Sequence, residues 1–174
     1  MEQKMLTKPV LALRGVLVLP GMIANIDVGR DKSIAAINAV MELDKQILLV
    51  GQMDNEKTEI TTADLYGWGV LAEVKQRLQL PSGAIRLLVE GLARVKLTET
   101  AEVHNGETYF VAQGEIIECV HEPGSEAEAL RRLLLEAFGS WAAVTKKVPA
   151  DTLEAFQEEE DLSKLTDIMA GYLP

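Results

Sequence analysis

The sequence predicts an α+β fold in which a β-rich part, residues 1–118, precedes a helical part, residues 119–174; we call these the β-body and the helical subdomain. Two observations lead to this prediction. Apolar residues alternate with a period of two on both sides of Pro81-Ser82-Gly83, which is typical of strands with one buried face. After residue 125, apolar residues recur at three- and four-residue spacings, which is typical of amphipathic helices.

Short apolar runs predict the strands in the first half of the β-body. Residues 10–13 and 16–19 form two strands or one bent strand, and residues 24–28 form the next. Residues 47–50 are apolar without interruption, so we expect a strand that is buried on both faces. Residues 53–62 are polar and aperiodic and predict a surface loop.

One helix is expected between these strands. Asp31 follows Gly29-Arg30, and its carboxylate is placed to cap the amino terminus of a helix that ends near Asp44. The helix has an apolar stripe formed by Ile34, Ile37, Val40 and Met41.

A long hairpin over residues 69–97 is the strongest pattern in the chain. Pro81-Ser82-Gly83 supplies the fixed φ and the permissive glycine of a short turn, and Gly91 inside the second strand indicates a bulge or a sharp bend. Residues 98–107 are polar, with a turn at Asn105-Gly106, and residues 109–120 form a final strand.

Three helices are predicted in the helical subdomain. Ser125 and Glu128 have the spacing of a capping box, Pro149 opens a short second helix, and residues 162–169 mark a third. We expect the first helix to pack through one stripe, which consists of Leu130, Leu133, Leu134, Ala137, Phe138 and Trp141.

Composition and charge exclude several classes of function. The net charge of the 174 residues is −10, which disfavours nucleic acid and anionic membranes as partners. The helical subdomain is the more acidic part, with 5 basic and 11 acidic residues. No apolar run approaches the ~20 residues of a membrane span, so we expect a cytoplasmic protein. The single cysteine, Cys119, excludes an internal disulfide framework, and we expect Cys119 itself to be a small buried apolar residue.

No pattern of catalytic or metal-binding residues emerges. A phosphate-binding loop of the Walker type is absent from the sequence, and Ser163-Lys164 are helix neighbours whose side chains diverge. His104 and His121 lie in polar turns without a third ligand at a defined spacing, so we expect no metal site. The acidic run of residues 158–161 is interpreted as solvated charge rather than a cation site.

A set of motifs occurs in fixed order along the chain. The motifs are Leu80-Pro81-Ser82-Gly83 followed by Leu88-Val89-Glu90-Gly91-Leu92-Ala93-Arg94, and the segments at residues 9–15, 20–22, 28–34, 69–74 and 148–153. Together they resemble the amino-terminal, substrate-binding domain of the Lon family of ATP-dependent proteases, and the resemblance extends from about Pro9 to the end of the chain.

The resemblance implies a PUA-like β pseudo-barrel with one inserted helix, followed by a truncated helical bundle that continues beyond Pro174 in the family. It also implies that the ATPase module, with its ATP and Mg, and the serine–lysine protease module lie after the region covered here. The chain is therefore expected to be a non-catalytic substrate-recognition module without a cofactor of its own. Its expected partners are unfolded or damaged proteins and the remaining domains of a homohexamer, with no nucleic acid and no membrane.

Candidate substrate contacts are residues that a barrel of this kind would expose, because unfolded chains bind to apolar patches and unpaired strand edges. The alternative for each is that it only closes the barrel or is buried. The apolar candidates are Met22, Ile23, Trp68, Leu80, Pro81 and Ile85. The charged candidates, at a helix start expected to face solvent, are Arg30, Asp31 and Lys32.

Three other functions stay open at this point. A stand-alone LON-domain binding protein would have the same sequence features without an attached protease. A PUA-like fold also suits an RNA-binding module, although the acidic composition opposes it. A small independent hydrolase lacks a recognisable set of nucleophile, base and orienting residue.

Overall fold

The structure is a computed structural model that describes residues 4–118 and 124–173. Internal contacts divide the chain into two compact units, residues 1–118 and 119–174. The predictions for Cys119 and His121 lie outside the described residues. In the part of the chain that is described, no helix is long and apolar enough to cross a membrane.

Residues 4–118 of the β-body form six strands and one α-helix, which confirms the α+β class. A 3₁₀ turn at Thr62–Asp64 precedes the fourth strand. The elements in chain order are β1 Met5–Leu13, β2 Ile23–Val28, α1 Asp31–Met41, β3 Gln46–Gln52, β4 Leu65–Gln79, β5 Ile85–Asn105 and β6 Glu107–Ile117.

The strands form a mixed sheet that closes through the long strand β5. β5 pairs with β4 along one edge; along the other, its first part pairs with β2 and its later part with β6. β6 then pairs with β1, β1 runs parallel to β3, and β3 pairs with β4. The ring of strands is therefore β5, β4, β3, β1, β6 and β5 again, and in the described part of the chain β2 pairs with no strand other than β5.

β3 is buried on both faces, as the sequence predicts, and separates two apolar clusters. Ile47 and Leu49 belong to one cluster, together with Ile37 and Val40 of α1. Leu48 and Val50 point into the other, with residues of β1, β4, β5 and β6. Alternate residues of one strand thus fill two cores, because side chains leave successive positions on opposite faces.

Gly91 marks a bulge and a close backbone approach. Ala72 pairs with Gly91 and Leu71 with Ala93, so Leu92 is an extra residue in β5. A Cβ atom at Gly91 would lie 2.3 Å from the carbonyl oxygen of Leu19. The backbone N–H of Gly21 donates to the Gly91 carbonyl at 2.9 Å, and the Gly91 N–H donates to the Met22 carbonyl at 2.9 Å. Glycine is required here because the chain before β2 crosses β5 directly over it.

Two predictions about the strands are wrong. Residues 16–19 do not form a strand, since Val18 turns inward to the core while Val16 and Leu17 are exposed without pairing. The second strand of the predicted hairpin does not end at residue 97 but continues as β5 to Asn105, where pairing with β6 satisfies the backbone and leaves polar side chains in water. The turn at Asn105-Gly106 and the turn at residues 80–84 lie where the sequence places them.

Both predicted side-chain helix caps are also wrong. Asp31 and Ser125 are the first helical residues, and the cap positions are occupied by Arg30 and Gly124, which make no side-chain cap hydrogen bond. The carboxylate of Asp31 still lies in the first turn of α1, where negative charge suits the helix dipole.

Within residues 124–173, the helical subdomain forms three helices, α2 Ser125–Thr145, α3 Ala150–Glu158 and α4 Leu162–Ala170. Its core contains Phe138, Ala142, Phe156, Leu165 and Met169. The predicted stripe of α2 is only partly correct, because Leu130, Leu133 and Ala137 are exposed. The buried stripe begins later in the helix, at Leu134 and Leu135.

Candidate functional site

Potential catalytic groups are engaged in ordinary structural contacts. Lys164 forms an ion pair with Glu159 at 2.6 Å, and this hydrogen bond raises the pKa of the Lys164 ammonium, the opposite of what a general base requires. His104 is exposed and shares a 2.7 Å hydrogen bond with the Thr108 hydroxyl. Among residues 4–118 and 124–173, no group of three acidic, histidine or cysteine side chains is placed to hold a metal ion.

The connection between β1 and β2, residues 14–22, exposes several apolar side chains. The exposed fractions of Val16 and Leu17 are 47% and 67%, and that of Ile23, which begins β2, is 65%. Met22 is half-buried against the core, and its sulfur accepts a hydrogen bond from the Leu19 N–H at 3.4 Å. Of the two predicted contacts in this region, Ile23 is available to a partner and Met22 is mainly packed.

The hairpin tip offers less apolar surface than the sequence suggests. Pro81 is exposed and Leu80 is half-buried. Ile85 is only 1% exposed, because it pairs with Val28 and lies in the core, so its prediction as a surface contact is wrong. Since Ile23 pairs with Glu90, the tip and Ile23 lie about 17 Å apart along β5 and do not form one patch.

Trp68 lies on a separate exposed surface of β4. Its side chain is 53% exposed, and Tyr66, two residues earlier on the same face, is 51% exposed. Trp68 is paired with Lys96 of β5, and the Tyr66 ring lies across Gly51. This is a second apolar surface, further along β5 than Ile23.

The sequence predicts that the charged residues at the start of α1 face solvent together, but the structure separates them. Only Asp31 is exposed. Lys32 pairs with Glu102 at 2.6 Å and its ammonium lies 4.8 Å from the centre of the Phe110 ring. Arg30 turns inward: its Nη2 donates to Gln52 Oε1 at 2.8 Å, while its Nη1 is buried without an acceptor among the described residues.

A cleft between β1 and β2, with a volume of about 490 Å³, lies near these side chains. We call it the β1–β2 cleft. Pairing of β1 with β6 ends at Val10, and no ladder joins β1 to β2, so the two strands leave a gap. One wall is the end of β1 with Arg14, the other is residues 25–28 of β2, and Gly29, Arg30 and Ser33 also line the cleft.

Two guanidinium groups give the β1–β2 cleft a positive character. Burial lowers the pKa of Arg30, repulsion from Arg14 lowers it further, and Glu59 acts in the opposite direction with a smaller effect. Arg14 makes no hydrogen bond or ion pair within the described ranges. Asp27, also on the cleft, is already matched by Arg86 at 2.6 and 2.7 Å, and that hydrogen bonding lowers the Asp27 pKa.

Sequence patterns do not reveal this cleft because it results from where strand pairing stops. Arg14 belongs to the motif segment at residues 9–15, but that motif assigns it no role; Asn25 lies outside the motif segments, and Leu17 lies in a run that predicts a strand. The only signal in the sequence is the break at Arg14-Gly15, which ends the first apolar run. Which edge of a strand stays unpaired is decided by its neighbours in space.

Comparisons with known proteins agree with the resemblance in the sequence. Residues 7–174 match the family model described as the ATP-dependent protease La (LON) substrate-binding domain. The chain is 39% identical to the Lon protease of Desulforamulus reducens over 99% of its own length and 21% of the relative's. It is 41% identical to the Lon protease of Brevibacillus choshinensis, with coverages of 95% and 21%.

A solved structure shows the same fold. The N-terminal domain of a Mycobacterium avium complex Lon protease superposes with a TM-score of 0.55 at 20% identity, covering 95% of this chain and 97% of that one. The chain spans about a fifth of the length of the curated relatives it matches. With a family model that covers nearly all of it and relatives near 40% identity, the chain belongs to the family of Lon (protease La) substrate-binding domains.

Proposed function

We propose that this chain is a non-catalytic module that binds unfolded or damaged polypeptides and presents them to the ATPase and protease modules of a Lon-type enzyme. The observation that supports this most directly is the exposed apolar surface of the β1–β2 connection. Val16, Leu17 and Ile23 expose about half to two thirds of their side chains within eight residues of chain. Such surfaces accept the apolar side chains that folded proteins hide.

The wider setting belongs to the same proposal. The parent enzyme would be an ATP-dependent serine endopeptidase acting as a homohexamer in the cytoplasm, and ATP and Mg would bind outside this region. The net charge of −10 favours polypeptide over nucleic acid as the partner. The exposed Trp68 and Pro81 are secondary candidate contacts, each on its own surface of the β-body.

The test is binding of a permanently unfolded protein. A reduced and carboxymethylated protein, labelled with a fluorophore, is titrated with this chain and followed by fluorescence anisotropy. We expect saturable binding that is absent for the same protein in its folded, disulfide-bonded form. Leu17→Ser is expected to weaken binding several-fold, because it removes an exposed apolar contact without touching the core.

Leu43→Ser is the matched control, because Leu43 is 74% exposed beyond the opposite end of α1 from Arg30. It should bind as the unchanged chain does. Equal affinity for the folded and unfolded forms, or equal loss in both variants, would contradict the proposal. Peptide hydrolysis by the purified chain would contradict its non-catalytic part.

A further inference from the structure

We propose that the β1–β2 cleft binds an extended acidic polypeptide segment by strand addition to β2, with its carboxylates directed to Arg14 and Arg30. This inference rests on the proposed function and deepens it by naming the chemistry of the segment and the place where it binds. Binding in the cleft would depend on the backbone and the charge of the segment, whereas binding to the exposed Leu17 and Ile23 would depend on apolar contact alone.

The first support is the unpaired edge of β2. β2 pairs with β5 through residues 23–28, and among the described residues no second strand pairs with it on its other edge. That edge faces the cleft, whose lining includes Asn25, Ile26, Asp27 and Val28. The end of β1 forms the opposite wall, beyond the point where β6 stops. An unpaired strand edge presents N–H and C=O groups that only an extended backbone can match in series.

The second support is the pattern of side chains around the cleft. Ile26 and Val28 are buried and Asn25 and Asp27 are exposed, so β2 alternates between core and solvent. An added strand would follow the same pleat, with every second side chain directed inward, towards Leu11 and Leu13. The volume of about 490 Å³ lies within the range of about 300–1,000 Å³ found for ligand sites. The structure thus favours a segment in which apolar and polar residues alternate.

The third support is charge complementarity. Arg14 is exposed on the cleft and has no carboxylate partner in the described part of the chain, and Arg30 lies near enough for the two charges to repel. Asp27 is matched by Arg86, and Glu59 offsets the repulsion only in part. A bound carboxylate would relieve the repulsion between the Arg14 and Arg30 guanidinium groups. The outward positions of the segment near Arg14 should therefore be acidic.

The experiment uses a fluorescein-labelled eight-residue peptide in which valine alternates with glutamate, titrated with the unchanged chain. We expect saturable binding that weakens as salt is raised. Arg14→Glu should reduce the affinity at least tenfold. Arg77→Glu, the same charge change at another exposed strand position, should reduce it less than twofold. Circular dichroism establishes that both variants are folded.

Two further peptides separate charge from backbone recognition. A version with lysine in place of glutamate should bind at least tenfold more weakly. A version N-methylated at every residue should also lose at least tenfold, because it has no backbone N–H group left to donate to the edge of β2. On binding the original peptide, the amides of residues 25–28 should gain protection from hydrogen exchange.

The outcomes distinguish this inference from the proposed function. If the chain binds the unfolded protein but not the acidic peptide, the inference about the cleft is wrong and the proposed function still stands. The inference about the cleft is also wrong if N-methylation of the peptide does not change its affinity, or if Arg14→Glu and Arg77→Glu weaken binding equally. It is likewise wrong if protection from hydrogen exchange appears only outside the cleft. Failure of both ligands to bind overturns both proposals.

Discussion

The β-body and the helical subdomain are stabilised in different ways. In the β-body, two apolar clusters lie on opposite sides of β3, and strands far apart in sequence are joined by hydrogen-bonded ladders. The helical subdomain has one smaller cluster, centred on Phe138, whose ring lies 5.2 Å from Trp141 and 5.6 Å from Phe156. The first unit distributes its stability over many contacts, whereas the second depends on a few aromatic side chains.

This difference has a consequence for function. The sites proposed for polypeptide binding all lie in the β-body, on edges and connections held by rigid strands. Positioned loops and edges on a stable scaffold are common places for recognition. Substitutions that test the comparison should therefore affect one unit strongly and leave the other intact.

The largest effect is expected for Phe138→Ala. Phe138 is only 6% exposed and contacts two other rings, so the substitution should lower the free energy of unfolding of the helical subdomain by about 3–5 kcal/mol. Native-state hydrogen exchange checks this, with faster exchange in α2–α4 and unchanged exchange in the β-body. Leu133→Ala, at a 62% exposed position of the same helix, is the control. Uniform loss of protection in both units would show that their stabilities are not separate.

A second large effect is expected for Gly91→Ala in the β-body. The new Cβ atom would meet the Leu19 carbonyl oxygen at 2.3 Å, and backbone atoms cannot yield as a flexible side chain does. We expect a loss of about 3 kcal/mol, measured by urea unfolding. Gly67→Ala is the control, because no atom lies within 4 Å of its Cβ position. Equal stability of the two variants would show that the chain before β2 does not close tightly over β5.

A moderate effect is expected for Arg131→Ala in the helical subdomain. The Arg131 guanidinium donates to the carbonyl oxygens of Gln157 at 2.6 Å and Glu159 at 3.0 Å, at the end of α3. Loss of these bonds should cost about 1.5 kcal/mol, seen as a lower midpoint of unfolding. Arg132→Ala removes only an exposed pair with Glu128 and should change stability by less than about 0.5 kcal/mol. Similar values for both would show that α3 is not held through its carboxyl end.

The smallest expected effect is a dependence of the stability of the β-body on pH. Hydrogen bonds from Lys57 and Thr61 lower the pKa of Asp64 from 3.8 to about 2. Since the pKa is lower in the folded state, the stabilisation is complete above pH 3.8 and is lost as the pH falls towards 2. A carboxyl NMR titration should give a midpoint near 2, and Asp64→Asn should remove this step in stability. A midpoint near 3.8 would mean that the contacts do not persist in solution.

Much of the fold is accessible from the sequence. Period-two alternation locates β4 and β5, a continuous apolar run locates β3, and the turn at Pro81-Ser82-Gly83 has the positive φ of Gly83 that such a turn requires. These features are local, so a short window of residues contains the signal. The prediction of a strand at residues 16–19 is wrong for the same reason. A local apolar run does not show whether its residues pair, and here Val18 is buried in the core while Val16 and Leu17 are exposed.

The candidate site is harder to predict from the sequence than the fold. Ile23 and Trp68 are exposed as anticipated, but Ile85 is in the core and Lys32 is paired with a glutamate seventy residues away. Arg14 lies in the motif segment at residues 9–15, but the motif does not mark it as part of a site, because its role depends on Arg30, which also lines the β1–β2 cleft.

The sequence by itself determined the α+β class, most elements, the bulge at Gly91 and the family resemblance, because periodicity, turn chemistry and motif order are properties of neighbouring residues. Tertiary structure alone decided which strand edges stay unpaired, which apolar side chains face water and which charges meet. Those outcomes depend on contacts between residues far apart in the chain, such as the pairing of β5 with both β2 and β6.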